Sequence, residues 1–102
     1  MSRNFDAFSV AATGATVSTT ASTSTGGTIP LDSSGNKPRF VRVSATGNCH
    51  VRLGIGAQTA LVTDFMLAAG DDAVLQVMGN THYAVIDRGT SVVFNIVALE
   101  DS

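Results

Sequence analysis

The chain has little of what builds most chemical sites. It holds one cysteine, Cys49, in 102 residues, which excludes an internal disulfide and a cysteine-built zinc site. Tryptophan is absent and tyrosine occurs once, which weakens any sugar-binding platform, since such platforms need exposed aromatic faces. Only 14% of the residues are charged, against about 25% in an average soluble domain. The six bases, Arg3, Lys37, Arg39, Arg42, Arg52 and Arg88, are scattered singly under a net charge of −2. Nucleic-acid binding needs a concentrated positive field to neutralise phosphates, so no direct nucleic-acid partner is expected. No apolar run approaches the roughly 20 residues of a membrane-spanning helix, and the start, Met1 to Asp6, lacks the apolar centre of a signal peptide. The chain reads as made and kept in a cytoplasm unless a particle carries it out, with no membrane partner.

What is present points to β-structure. Gly, Ser and Thr are abundant, and no helical apolar period runs for ten residues, so an all-β domain is expected. The organising stretch is Arg39 to Ile55. Val41, Val43 and Ala45 share one face of its first arm, and Val51, Leu53 and Ile55 share one face of its second. Thr46-Gly47-Asn48 lies between them, and period-2 alternation on both sides of such a break predicts a β-hairpin.

Further strands are predicted at Asn4 to Ala12, Thr28 to Leu31, Asp64 to Ala68, Ala73 to Met78, Thr81 to Ile86 and Ser91 to Leu99. Loops and turns fall at Asp32 to Pro38, Ala69 to Asp72 and Asp87 to Gly89, where turn-forming residues gather. About eight strands, with turn signals roughly every 8–12 residues in the second half, mark a sandwich or a barrel, and an antiparallel β-sandwich is the expected fold. Several strands are apolar on both parities, so a second apolar face awaits a cover. Between Thr13 and Thr28, ten of sixteen residues are Ser or Thr and three are Gly. Too poor in large apolar side chains to bury itself, this segment reads as a linker or as an extended arm that orders against a neighbour. The chain divides accordingly into an arm, residues 1–27, and a sandwich, residues 28–102.

Candidate chemistry is sparse. Cys49, His50, His82, Asp71, Asp72 and Asp87 show no metal-ligand spacing, and Cys49 and His50, adjacent on a strand, face opposite sides. Gly54-Ile55-Gly56-Ala57 lacks the third glycine and the following helix of a dinucleotide loop. No catalytic residue, metal or cofactor is assigned, and a non-enzymatic role is expected.

Taken together, several stretches resemble a known family. They are Phe40-Val41-Arg42-Val43, Asn48 to Gly54 (Asn-Cys-His-Val-Arg-Leu-Gly), Asp64 to Gly70, His82 to Ile86, and the ending Ala98-Leu99-Glu100. In this order they resemble small virion structural proteins of tailed bacteriophages, of the head decoration or cement type, over about Arg39 to Glu100. The resemblance implies a jelly-roll-like sandwich, made in the host bacterial cytoplasm, that binds the outside of the head shell across capsomer junctions. Its partners would be the major capsid protein and further copies of itself. Contacts are expected from the arm, at Phe5, Phe8 and Val17, and from loop tips at Lys37, Arg39 and Arg88. A tail, connector or receptor-binding spike component is the alternative within the same context, and a small carbohydrate-binding sandwich lies outside it.

Overall fold

The computed structural model describes residues 8–101. They form eight strands and no helix: β1 (Phe8–Ser18), β2 (Thr25–Thr28), β3 (Phe40–Ala45), β4 (Cys49–Gly54), β5 (Phe65–Leu67), β6 (Asp72–Gln76), β7 (His82–Asp87) and β8 (Val93–Asp101). Two four-stranded antiparallel sheets result, in the orders β1-β8-β3-β6 and β2-β7-β4-β5. The chain is an antiparallel β-sandwich, and its strand order is that of a jelly roll. β1 pairs with β8, β2 with β7, β3 with β6 and β4 with β5. A long ribbon folded at the β4–β5 connection and then wrapped gives this pattern, and the wrap adds the pairs β3–β8 and β4–β7.

Alternation decides which side chains enter the gap. Val41 and Val43 of β3 and Phe94 and Ile96 of β8 face Cys49 and Val51 of β4 and Tyr83 and Val85 of β7, all of them buried. The Tyr83 and Phe94 rings cross the gap with centroids 5.7 Å apart, within the range of favourable aromatic pairs. On the outer face of the β2-β7-β4-β5 sheet, the β4–β5 connection folds back over the strands. Its Ala60 N–H donates to Ser24 Oγ at 2.8 Å, and beneath it Ala84 and His50 are buried. The cover predicted for this second apolar face is therefore supplied in part by the chain itself.

Two expectations need correction. The Arg39 to Ile55 stretch is two good strands but not a hairpin, because β3 and β4 lie in different sheets and do not pair. A two-residue hairpin turn of the favoured kind needs left-handed backbone at its centre, and neither Gly47 nor Asn48 adopts it. The connection is instead pinned from outside. Val93 N–H donates to Thr46 Oγ1 at 2.9 Å and Ala69 N–H to Asn48 Oδ1 at 2.8 Å.

The arm expected over residues 1–27 contains strands of the sandwich itself. β1 pairs along β8, with a bulge between Val10 and Gly14, and β2 pairs along β7. A Ser/Thr-rich stretch with few large apolar residues suffices here because edge strands contribute mainly backbone hydrogen bonds. In β1, Ala15 and Val17 pack on the core. A boundary at residue 27 would cut through β2.

Gly26 shows how closely β2 lies on β7. A Cβ there would stand 2.1 Å from the Tyr83 carbonyl oxygen and 2.9 Å from Ala84 Cα, both backbone atoms that cannot swing aside. Gly26→Ala should destabilise the fold by about 1–3 kcal/mol, read from the denaturant midpoint. An unchanged midpoint would show that β2 does not sit against β7 as described.

Candidate functional site

Strand β7 runs from one end of the sandwich, at His82, to the other, at Asp87, and the two ends differ in character. At the Asp87 end the β1–β2, β3–β4, β5–β6 and β7–β8 connections meet. Asp87 is buried, yet each of its oxygens is satisfied. Oδ2 accepts from Thr19 Oγ1 at 2.5 Å, and Oδ1 accepts from Ser22 N–H at 2.7 Å and Gly89 N–H at 3.0 Å. Ser22 adopts left-handed backbone, φ 62°, as it presents that N–H. The Thr19 hydroxyl also accepts from Val92 N–H at 2.9 Å. These donors, the Thr19 hydroxyl first and the Ser22 amide next, hold the Asp87 carboxyl below its ordinary value of 3.8. The carboxylate is engaged as a clamp joining the β1–β2 and β7–β8 connections, not poised as a base.

The other candidate groups are likewise separated or occupied. Cys49 faces the core, where burial first and the Asp87 charge second push its thiol up to about 11, so it is no thiolate at neutral pH. His50 faces the opposite side. Its Nδ1 lies 3.0 Å from the Asp64 carbonyl oxygen and its Nε2 lies 3.1 Å from Arg88 Nη1. A guanidinium only donates and a carbonyl only accepts, so the geometry assigns the neutral ring with its proton on Nδ1. Asp64 is held below the usual carboxylate range, chiefly by the Leu61 N–H and then by Arg52. Asp72 pairs with Arg42. Among the described residues no group of three or more His, Cys, Asp or Glu stands together as a metal site.

The Thr81 end carries the surface of most interest. The β2–β3 and β6–β7 connections and the start of the β4–β5 connection gather there, tied together by Thr81. Its N–H donates to the Gly54 carbonyl and its own carbonyl accepts from Ile29 N–H, both at 2.9 Å. Its hydroxyl accepts from Gly56 N–H at 3.0 Å and meets His82 Nδ1 at 2.7 Å. Each loop then presents an apolar side chain outward. Met78 is 80% exposed, Ile55 77% and Leu31 44%. Beside Leu31 lies a cleft of about 130 Å³ walled by Ile29, Leu31, Pro38 and Val77. Beside it, sharing Lys37 and Pro38, is a shallower hollow of about 410 Å³ lined also by Arg39, Phe40, Gln76 and Met78.

The residues expected to make contacts are dispersed by the fold. Lys37 and Arg39 stand together at the Thr81 end, whereas Arg88 follows Asp87 at the other, bonded to His50. The fold therefore does not gather the three at one end. Val17 packs against the core and offers little outward surface. Phe8 lies opposite Asp101 in the β1–β8 ladder, and Phe5 lies outside the described residues.

Sequence reading missed Met78, Ile55 and Leu31. The usable signal was Met78-Gly79, an apolar residue where a turn with left-handed backbone wants Asn or Gly. A second exposed group, Leu61, Val62, Phe65, Met66 and Val74, lies on and beside the edge strands β5 and β6. The carboxylates there are already paired, Asp64 with Arg52 and Asp72 with Arg42.

Compared with known proteins, the chain matches no family model, no curated protein and no solved structure.

The Asp87 clamp has a pH signature. Its folded-state value lies below 3.8, so the stability it adds is full above that value and is lost as pH falls through the folded one. Thr19→Val should lower the denaturant midpoint near neutrality and shrink the further loss between about pH 5 and pH 2. Parallel acid profiles for the two proteins would show that the clamp is not the acid-sensitive element.

Proposed function

We propose that this chain is a non-enzymatic structural protein of a tailed-bacteriophage virion, a decoration or cement protein on the outside of the head shell. The observation that carries the proposal is the grouping of exposed large apolar side chains. They stand at the Thr81 end and along the β5–β6 side of a domain in which only 14% of residues are charged. Apolar surface collected in patches costs solubility and is retained where another surface covers it. The resemblance of the Arg39 to Glu100 stretch to phage decoration proteins supplies the context, and the jelly-roll strand order agrees with the shape it implies.

The mode of action in this reading is adhesion. One sandwich bridges neighbouring shell subunits, and many copies on one particle add weak contacts through avidity. β1 is bound to β8 of its own chain, so docking through the Thr81 end replaces strand donation by an N-terminal arm as the proposed contact. The major capsid protein is the proposed partner, with neighbouring copies of the chain meeting through the β5–β6 side. A sugar-binding role is weakened further, because the one tyrosine, Tyr83, is 2% exposed and lies in the core.

Quantitative stoichiometry of particles made by the encoding genome tests this reading. A copy number comparable with that of the major shell protein is expected. A few copies per particle would move the chain to the tail or connector, and absence from particles would overturn the virion reading.

A further inference from the structure

We infer that the cleft and hollow at the Thr81 end form one groove for a protein segment that carries an apolar side chain with a carboxylate close beside it. The apolar half of this match follows from size and walls. At about 130 Å³, lined by Ile29, Leu31, Pro38 and Val77, the cleft is close to the roughly 150 Å³ engineered apolar cavity that holds a benzene ring. It therefore suits one aliphatic or small aromatic side chain.

The charged half follows from which cations the fold has already used. Arg42 and Arg52 pair with Asp72 and Asp64, and Arg88 binds His50. Lys37 and Arg39 form no salt bridge with a described side chain, and Arg39 lies 5.7 Å above the Phe40 ring. Both line the hollow adjoining the apolar cleft. A carboxylate entering beside the buried apolar side chain meets them directly.

Met78 gives an independent sign that this end is built for contact. Met78 and Gly79 have φ 51° and 79°, and Asn80 N–H donates to the Val77 carbonyl at 2.9 Å, the geometry of a type I′ turn. Asn-Gly fits that turn best, and a methionine in left-handed backbone is strained. The side chain recovers little by packing, since it is 80% exposed. Strain held together with exposed apolar surface points to a residue kept for what it touches. A protein is favoured over a lipid surface because the site is concave. Anionic bilayers, moreover, are held by clusters of about 4–8 Lys or Arg, and two stand here.

This inference deepens the docking reading and rests on it only in taking the partner to be a protein. The test is an amide-resonance titration of the isotope-labelled chain with a blocked leucyl-aspartyl peptide and its leucyl-lysyl counterpart. Saturable shifts are expected in Thr28 to Leu31, Lys37 to Phe40 and Val77 to Thr81, with the lysyl peptide at least about tenfold weaker. The double change Lys37→Glu and Arg39→Glu should reverse that preference. Met78→Asn should weaken binding several-fold while leaving the unfolding temperature unchanged or raised, which separates lost contact from lost fold. Absent shifts, equal response to both peptides, or shifts in these amides only with anionic vesicles or with rising chain concentration would each overturn the groove. Peptide binding by a chain that is missing from particles would sink the virion reading and leave the groove standing. A chain abundant in particles that ignores the peptide would do the reverse.

Discussion

The constraint on which the rest of this structure depends is the pairing of first with last. β1 lies on β8, β2 on β7 and β3 on β6, so the core closes only when distant parts of the chain meet. Such non-local pairing is entropically costly before it is rewarded. The buried side chains of β3, β4, β7 and β8 supply that reward, because these four strands occupy the middle of the two sheets. The same wrapping sorts the connections. Four of them collect at the Asp87 end and the remaining three leave from the Thr81 end. Two separate loop clusters follow from topology before any side chain is considered.

Side chains then make the ends different. At the Asp87 end, a buried carboxylate gathers Thr19, Ser22 and Gly89, which fixes the β1–β2 connection against β7. A buried charge is tolerable only when it is hydrogen-bonded, and here three donors reach the carboxylate. At the Thr81 end the hydrogen bonds of Thr81 hold the loop bases, while the loop tips carry Met78, Ile55 and Leu31 into solvent. One end is spent on holding the fold; the other is free to meet something else.

Much of the fold was legible in the sequence. Strands β3 and β4 announce themselves by alternation, β6, β7 and β8 as apolar runs bounded by turn formers, and Ala69 to Asp72 and Asp87 to Gly89 announce themselves as turns. Alternation is a local signal, and it cannot say which strand pairs with which. Thr46 to Asn48 therefore read as a hairpin turn although it carries the chain from sheet to sheet. Residues 13–28 read as an arm because burial was judged from side chains, whereas an edge strand is held largely through its backbone. The candidate site was legible only in Lys37 and Arg39. Met78, Ile55 and Leu31 looked like strand or bend residues, and their exposure together at one end arises from tertiary wrapping.

Docking through the Thr81 end, as proposed, would place Met78 at the contact. Methionine oxidation by peroxide tests it on particles that carry the protein, because Met78 and Met66 report two different surfaces at 80% and 47% exposure. The account predicts that Met78 oxidises readily in the free chain and is protected on the particle. Met78 reacting equally in both states, with protection confined to Met66 beside the β5 edge, would contradict it and move the contact to the β5–β6 side.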